Sequence, residues 1–415
     1  MQDKDTIKST FNQLFEPILS DTFTQKLTEL GVDKYVKKLT TIQLIELIAH
    51  AQIQQQGNLR EIVNNFNNEE FCSAINLESI STSQISRRLR DLEPEVLKSL
   101  FELAIRKLGC EIGFDNLTKE TGRIHLIDST TIGLCLSKYP WAVFRKTKSG
   151  VKVHLRLRFC QGISIPDKVV ITNAKTADKR QMHELVIEEP DCLNVFDRGY
   201  LDYKLFDQYC DNNTRFVTRL KDNAIVEVVK ELPVSPNSLV LKDQIVYLGD
   251  GRKKMRNPLR LLEVIDTQGR RIVIITNDFK LESQAIGDLY RYRWQIELFF
   301  KWIKQHFTVK HLYGTSQPAV ENQLYIALNS YCLLLLLKLK TGYQKTLLEL
   351  TRILKVSLYK PFTVFVQKLH KKPLRSSRGR RRIDNDKIYQ LLERQVMEAY
   401  YLSQFYDVTY DPIIL

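Results

Sequence analysis

The sequence predicts an α/β protein in which a core of strands and helices is interrupted by a second β-rich block and flanked by helical regions. Residues 1–118 carry apolar side chains at helical spacing and show no strand-like alternation. From residue 119, short β-rich runs alternate with helical patterns, and residues 222–268 are β-rich almost throughout. One more strand pattern and long helical patterns follow from residue 269. These observations together predict a discontinuous α/β unit with a β insertion.

The changes of pattern set the predicted domain boundaries. A chain of 415 residues is long for one compact domain, so several packed units are expected. They are a helical N-terminal domain at 1–118, an α/β domain at 119–221 and 269–350, a β-rich insertion at 222–268, and a helical, basic C-terminal region at 351–415. The most apolar run, Leu324 to Leu337, is too short to cross a bilayer and contains Asn329 and Ser330, so it predicts a buried helix.

Positive charge is in excess and is concentrated along the chain. Lysine and arginine number 62 against 48 acidic residues, which favours a polyanionic partner such as nucleic acid or a membrane surface. Three runs carry several basic residues and no acidic one: Phe144 to Phe159, Gly251 to Arg260, and Lys371 to Arg382. Each alone could be a solvated surface, but the three together favour a protein that binds phosphates.

Cysteine usage and the N-terminal residues bear on the cellular compartment. The seven cysteines have no paired spacing, so the sequence predicts neither a zinc site nor a disulfide framework. The first residues are charged and lack the apolar core of a secretory signal. We therefore expect a reducing, cytoplasmic location and no membrane partner.

A short basic helix is predicted within the N-terminal region. Ser83 is expected to cap a helix whose exposed side presents four polar side chains. These are Gln84, Arg87, Arg88 and Arg90. Such a helix suits a recognition helix laid against DNA, since arginine and glutamine can read guanine and adenine edges. The alternative is an ordinary surface helix that carries arginines.

Two aspartates follow apolar strand patterns in the α/β unit. Asp128 ends the run RIHLI and Asp197 ends the run CLNVF. A carboxylate at the end of a buried strand is desolvated and needs a cation, a donor or a proton. Each aspartate alone could instead cap a turn or a helix. Two of them beside clustered cations favour a metal site.

A polar line runs along the predicted helix from Asp288 to His306. At 100° per residue, four of its side chains fall within an arc of roughly 60°. They are Tyr290, Arg293, Glu297 and Lys304. One interpretation is a solvated face on which Arg293, Glu297 and Lys301 form four-residue ion pairs. The other is a third carboxylate, Glu297, facing the two strand-end aspartates.

Three carboxylates of this kind predict magnesium or manganese chemistry. Hard divalent cations prefer oxygen ligands and bind few carboxylates, keeping waters. Two such ions about 4 Å apart can activate a water or a 3′-hydroxyl and stabilise the leaving oxygen in phosphoryl transfer. The sequence contains no Gly-rich phosphate loop and no His-Glu-x-x-His motif, and His125, His154 and His183 are isolated from one another. Metal-dependent phosphoryl transfer is therefore the favoured chemistry.

The spacing of these residues resembles a known family. Tyr290, Arg293, Glu297 and Lys304 match the Tyr-Arg-Glu-Lys signature of bacterial insertion-sequence transposases, in the large DDE group often numbered four. The stretches LIDSTTI around Asp128 and VFDRGY around Asp197 are similar to the two aspartate motifs of that group. The residues between Asp197 and Glu297 leave room for the β insertion that these enzymes carry inside an RNase H-like, retroviral integrase-like fold.

The resemblance implies a function and a set of partners. Asp128, Asp197 and Glu297 would be the catalytic, metal-binding triad for two magnesium or manganese ions, and Tyr290, Arg293 and Lys304 would contact DNA. The enzyme would bind inverted-repeat ends of its element, cleave them and join the 3′-OH ends to target DNA. A homodimer would pair the two ends, and the protein would be associated with the nucleoid.

Some relatives stack an aromatic residue of the insertion on a flipped base during a hairpin step. Trp141, Trp294 and Trp302 all lie outside the insertion here, and Tyr247 is the nearest aromatic candidate. A hairpin route is therefore less firmly implied than the triad. Two other functions remain open: a DNA-binding regulator without catalysis, and a structure-directed nuclease of the same fold without strand transfer.

Overall fold

The structure is a computed structural model that describes residues 8–112, 122–160, 163–235, 238–265, 269–371 and residue 394. Of the third basic run, only Lys371 belongs to the described residues. The expectation for Lys372 to Arg382, and for most of the C-terminal region, therefore lies outside them.

Residues 8–112 contain helices and no strand. The helices are α1 (Thr10–Phe15), α2 (Asp21–Leu30), α3 (Thr41–Ile53), α4 (Leu59–Asn64), α5 (Glu69–Ile75), α6 (Thr82–Asp91) and α7 (Pro94–Ile112). Helix α6 begins two residues earlier than the predicted cap requires, because Ser81, not Ser83, accepts the backbone N–H of Gln84. The Gln84 side chain in turn accepts the N–H of Ser81, which completes a capping box. The prediction of Ser83 as the cap was wrong.

Strands and helices alternate after residue 122. The strands are β1 (Arg123–Leu134), β2 (Val143–Arg145), β3 (Lys148–Cys160), β4 (Ile163–Asn173), β5 (Cys192–Phe196), β6 (Arg215–Arg219), β7 (Val226–Glu231), β8 (Val240–Leu248), β9 (Leu259–Ile265) and β10 (Arg271–Thr276). The helices are α8 (Met182–Leu185), α9 (Tyr203–Asp211), α10 (Ser283–Tyr292), α11 (Trp294–His306), α12 (Gln317–Lys340), α13 (Leu347–Lys355) and α14 (Phe362–Leu369).

All ten strands belong to one sheet. Strands β1, β5 and β6 are parallel neighbours, and β3 runs antiparallel to β1 on its other side. Strand β10 pairs antiparallel with both β6 and β9. The β-rich insertion therefore extends the central sheet through β9, β8 and β7, where we had expected a β module of its own. The reason is that the free edge of β10 can hydrogen-bond to β9 along its whole length.

Helix α12 is the central helix of the fold and packs against α7, α6 and α3. It has 24 residues, longer than the apolar run suggested, and by length and composition it could cross a membrane. However, 94% of its most apolar window is buried inside the protein, as the sequence predicted. The Asn322 side chain donates to the carbonyl oxygens of Leu89 and Leu92, and Asn329 donates to that of Leu97. These bonds tie α12 to α6 and α7, since buried amides need partners.

Burial of His50 makes the stability of the protein depend on pH. His50 on α3 is almost fully buried, and burial lowers its pKa to about 4. Its Nε2 lies 2.8 Å from the hydroxyl of Tyr359. Because the folded protein resists protonation of His50, its contribution to stability is present above about pH 6.5 and is lost as pH falls towards 4. The expected slope is about 1.4 kcal/mol per pH unit in that window.

Urea unfolding at a series of pH values between 7 and 4 would test this expectation. His50→Gln keeps a hydrogen-bonding group beside Tyr359 but cannot be charged, so its free energy of unfolding should fall less steeply with acid. His183→Gln removes an exposed histidine and serves as the control. Equal pH slopes for the wild type and His50→Gln would contradict the assignment.

Candidate active site

Asp128 and Asp197 lie side by side at one edge of the parallel strands. The last pair between β1 and β5 joins Ile127 to Phe196, and each aspartate is the next residue on its strand path. Parallel strands lie about 4.8 Å apart, so the two side chains enter the same region. Asp128 follows the apolar run as predicted, but it does not lie at the end of the strand, because β1 continues to Leu134 and pairs with β3 from Ile124 onwards. Asp197 makes no side-chain cap to the turn that follows it.

The polar line that was predicted on one helix is divided between two helices. Helix α10 ends at Tyr292 and α11 begins at Trp294, with Arg293 between them. The N–H of Arg293 bonds to the carbonyl of Tyr290, three residues back, which tightens the backbone there. The prediction of one continuous helix was wrong at this residue. The four side chains nevertheless stay on the side that faces β1 and β5.

Arg293 lies among the carboxylates. Its Nη1 donates to Oδ2 of Asp128 at 3.2 Å, and its Nη2 lies 2.7 Å from Oε1 of Glu297. The second contact has the distance of an ion pair but not the angle of a hydrogen bond, so Oε1 is left without a hydrogen-bond donor. The Tyr290 hydroxyl donates to Oδ1 of Asp197 at 3.5 Å. Arg293 and Tyr290 are both buried, although we had expected them to face DNA phosphates.

Burial perturbs the acids strongly. It raises the pKa of Asp128 to about 8, against the opposing effect of the Arg293 charge. Burial also raises the pKa of Glu297, again opposed by Arg293. The pKa of Arg293 lies well above its usual range, because the nearby acidic groups outweigh the effect of burial. Burial therefore disfavours the charged forms of these two acids, and a bound cation would favour them.

Lys304 closes the other end of the line. Its Nζ donates to Oγ1 of Thr130 at 2.6 Å and to the carbonyl of Thr131 at 3.2 Å, so α11 is tied to β1 beyond Asp128. Burial lowers the pKa of Lys304 to about 8, and the charge of Lys310 acts in the same direction. Lys304 is thus a partly buried cation about two helical turns from Glu297, towards the end of β1.

Sequence reasoning missed a fourth acid near this region. Asp178 accepts hydrogen bonds from the hydroxyl of Ser129 at 2.6 Å and from Nζ of Lys152 at 3.2 Å. His154, which the sequence treats as isolated, lies 3.5 Å from the same carboxylate through Nδ1. Asp178 follows no strand pattern in the sequence, so only tertiary contacts reveal it. Its partners neutralise it, which makes it a support for β1 rather than a free ligand.

The acid group fits a divalent cation. Three carboxylates supply hard oxygen donors, and the buried Oε1 of Glu297 has an ion contact with Arg293 but no hydrogen bond of good geometry. Their ligand atoms do not gather within 4.8 Å of one another in the described part of the chain, because Arg293 stands between them. A bound ion would therefore have to share the acids with Arg293 or displace it.

A second cluster of possible metal ligands lies at the opposite end of these strands, where β5 begins. Glu189, Asp191 and Cys192 have ligand atoms within 4.8 Å of one another. Both acids are already paired with Arg123, and burial raises the pKa of the Cys192 thiol to about 11. We therefore judge this group a poor metal site. A cavity of about 1090 Å³ opens at the same end, beside Arg215, and also lies away from the candidate acids.

Most of the polar side chains predicted on helix α6 are engaged within the protein. Arg88 pairs with Asp33 and donates to the carbonyl oxygens of Val32 and Leu39, while Arg90 pairs with Asp91. Gln84 serves the capping box described above. Arg87 is exposed and bonds to the carbonyl of Ser83 through Nε alone.

Comparisons with known proteins agree with this architecture. Residues 119–333 match the family described as the transposase DDE domain, and residues 6–70 match a domain of unknown function (DUF4372). A Geobacillus stearothermophilus protein named as a transposase for insertion sequence element IS5377 is 28% identical over 79% of this chain and 84% of its own length. A Sinorhizobium fredii protein named as transposase y4zB is 34% identical over 53% of this chain and 63% of its own length.

A third relative and a solved structure were also found. A Synechocystis protein named for insertion sequence element IS4SA is 25% identical over 55% of this chain and 64% of its own length. The piggyBac transposase in a synaptic complex with hairpin DNA superposes with a TM-score of 0.42 at 12% identity, covering 89% of this chain and 84% of that one. A transposase DDE domain implies an RNase H-like fold and the use of divalent metals. Since the DDE match spans just over half of the residues, this chain belongs to the transposase DDE domain family and is a DNA transposase.

Proposed function

We propose that this transposase binds the inverted-repeat ends of its own element, cleaves them, and joins the 3′-OH ends to target DNA. We propose further that it belongs to the group with the Tyr-Arg-Glu-Lys signature. The observation that carries the proposal is the convergence of Asp128, Asp197 and Glu297 on one side of β1 and α11, with Arg293 between two of them. Two largely buried carboxylates, Asp128 and Glu297, contact one arginine with Asp197 beside them, and this arrangement is costly unless a cation binds there.

Asp128, Asp197 and Glu297 would hold two magnesium or manganese ions. When bound, such ions would neutralise charge on the attacking and leaving oxygens of a phosphoryl transfer. The chain's own contribution is to keep the acids desolvated and to hold them on rigid elements. Strands β1 and β5 hold the two aspartates in register, and α11 holds Glu297 against β1.

Arg293, Tyr290 and Lys304 would position the acids and the DNA backbone. Arg293 stands between Asp128 and Glu297 and opposes the effect of burial on the pKa of both acids. Tyr290 orients Asp197 through its hydroxyl. Lys304 is the cation of this group nearest the C-terminal end of β1. It would reach a phosphate by releasing its hydrogen bond to Thr130.

The remaining regions supply DNA binding and assembly in this proposal. Residues 1–118 would form a DNA-binding domain in which Arg87 and Arg90 are exposed arginines of α6, and Arg88 would hold the helix in place. Residues 222–268 would form the family's insertion, with Tyr247 as its aromatic candidate for a hairpin step. Two copies would pair the two ends, and the exposed Val228 and Val229 on the outer strand β7 offer an apolar surface for association.

A joining assay tests the proposed function. The full chain is incubated with Mg²⁺, a duplex that carries an element end with a 3′-OH, and a target plasmid. Covalently joined products are expected, and they should disappear when Mg²⁺ is chelated. Cleavage without joining would instead indicate a structure-directed nuclease, and a mobility shift without any chemistry would indicate a DNA-binding regulator.

A further inference from the structure

Strand β1 leads from the candidate acids to a second, strongly basic surface. No acidic residue occurs between Asp128 and Asp167, and none occurs between Glu297 and Glu321. These two acid-free segments meet at the far end of β1, where Nε1 of Trp141 donates to the carbonyl of Thr315 at 2.7 Å. The loop after β1 and the segment after α11 therefore meet at this point.

Four exposed lysines belong to these two segments, and we call this set the lysine ridge. They are Lys138, Lys146, Lys148 and Lys310. Among the described residues none of the four has an ion-pair partner at 4.0 Å or less. The runs Phe144 to Phe159 and Gly251 to Arg260 also contain cations that are paired with acids, namely Lys152, Arg156 and Arg158 in the first and Lys254, Arg256 and Arg260 in the second. Unpaired clustered lysines favour a polyanion over intramolecular stabilisation.

The ridge is held rigidly. The hydroxyl of Ser149 donates to the carbonyl of Tyr139, and the Asn173 amide donates to the carbonyl of Trp141. Strand β2 pairs with the start of β3, so that Lys146 follows Arg145 directly in a tight turn to Lys148. A prepared surface of this kind loses little conformational entropy when it binds.

The distance from the acids to the ridge can be read from the strand register. Asp128 is paired with Leu155, and Lys148 lies seven residues from Leu155 along β3. At about 3.3 Å per residue this is about 23 Å, the length of about seven base pairs of duplex. A duplex that places one phosphate at the acids and extends past the β2–β3 turn would have another phosphate at about the level of Lys148, although Lys148, an odd number of residues from Leu155, starts from the other face of the pleat.

Resting on the proposed function, we propose that the lysine ridge binds the phosphate backbone of duplex DNA outside the element end, about seven base pairs from the reacting phosphate. Lysine is a point charge that contacts phosphates and reads no base edge well. Element ends have a constant sequence, whereas the DNA outside them varies with every insertion. A surface of lysines fits the variable partner, which is flanking DNA before cleavage or target DNA at joining.

The test compares two duplexes in the absence of divalent cations. Both carry the element end, but the outer arm is about four base pairs long in one and about twelve in the other, on either side of the expected contact. The variant is Lys146→Gln/Lys148→Gln in the full chain. The matched control is Lys204→Gln/Lys221→Gln, which removes the same charge from two exposed lysines elsewhere.

On the long arm, Kd of the ridge variant should rise about tenfold, and the slope of log Kd against log salt should fall by about 1.8, since each phosphate contact contributes about 0.9. On the short arm the variant and the wild type should bind alike, and the control should match the wild type on both. No loss on the long arm, or an equal loss on both arms, would overturn the proposal.

Two reaction assays with Mg²⁺ separate the sources of the outer duplex. Slower cleavage of a flanked donor assigns the ridge to flanking DNA, and slower joining of a pre-cleaved end to a plasmid assigns it to target DNA. Normal rates in both would overturn the proposal. If the wild type neither cleaves nor joins but the arm-dependent binding loss is seen, the proposed function fails while the ridge stands. If the wild type cleaves and joins but the arm-dependent binding loss is not seen, the ridge proposal is rejected and the proposed function stands.

Discussion

Replacing Glu297 with glutamine is expected to lower the rate of element-end joining by at least about 1000-fold, since residues that act as one catalytic unit show losses of this size or larger. Glutamine preserves the volume of the side chain and one carbonyl oxygen, but it removes the negative charge that a divalent cation requires. The Oε1 atom of Glu297 is also the group of the site that lacks a hydrogen-bond donor. Joined product measured by gel electrophoresis, over a range of Mg²⁺ concentrations, gives the result.

The matched control for this variant is Glu321→Gln on α12. Glu321 is also partly buried, and burial raises its pKa as it does that of Glu297. It accepts a hydrogen bond from Gln317 and lies outside the acid group. We expect the control to join DNA at nearly the wild-type rate. Full joining activity in Glu297→Gln would show that the acid has no catalytic role.

Replacing Arg293 with methionine is expected to destabilise the metal-free protein by about 3 kcal/mol, because two buried carboxylates would lose their cation. Asp128 and Glu297 would then repel each other across the space that Arg293 occupies. A divalent cation should restore part of the lost stability, so Mg²⁺ should raise the urea midpoint of the variant more than that of the wild type. Urea unfolding with EDTA and with Mg²⁺ measures both effects without any assay of activity.

Arg291→Met is the matched control, since it removes a neighbouring arginine whose partner Asp288 is exposed. Exposed ion pairs contribute about 1 kcal/mol or less, so a small change that does not depend on Mg²⁺ is expected. If Arg293→Met lost no more stability than this control, or gained nothing from Mg²⁺, the acids would not form a cation-binding group.

Some parts of the fold were predictable because their signals are local. The strand patterns RIHLI and CLNVF correspond to β1 and β5, since apolar runs of this length suit strands that are buried on both faces. The buried helix through Leu324 to Leu337 was also predicted, although capping by Ser316 starts it earlier. The strand pattern RIHLIDSTTI also predicted β1 beyond Asp128 as far as Ile132, and the structure extends the strand to Leu134 through pairing with β3.

The candidate site divides in the same way. Helical spacing singled out Tyr290, Arg293, Glu297 and Lys304, since one face of a helix can be computed from 100° per residue. Spacing could not show that Arg293 points between two carboxylates, because that depends on β1 lying against α11. Asp178 has no sequence signal at all and is found only through Ser129 and Lys152.

The sequence by itself determined the family resemblance, the order of strands and helices, and the residues that could carry acid chemistry, because each rests on residue type and spacing along the chain. Only the tertiary structure decided which charges are neutralised. It paired Arg88 with Asp33 and Arg260 with Asp243, and it left Lys146 and Lys148 without acidic partners among the described residues. A charge becomes available to DNA only when no acid of the same chain reaches it, and that depends on contacts between distant residues.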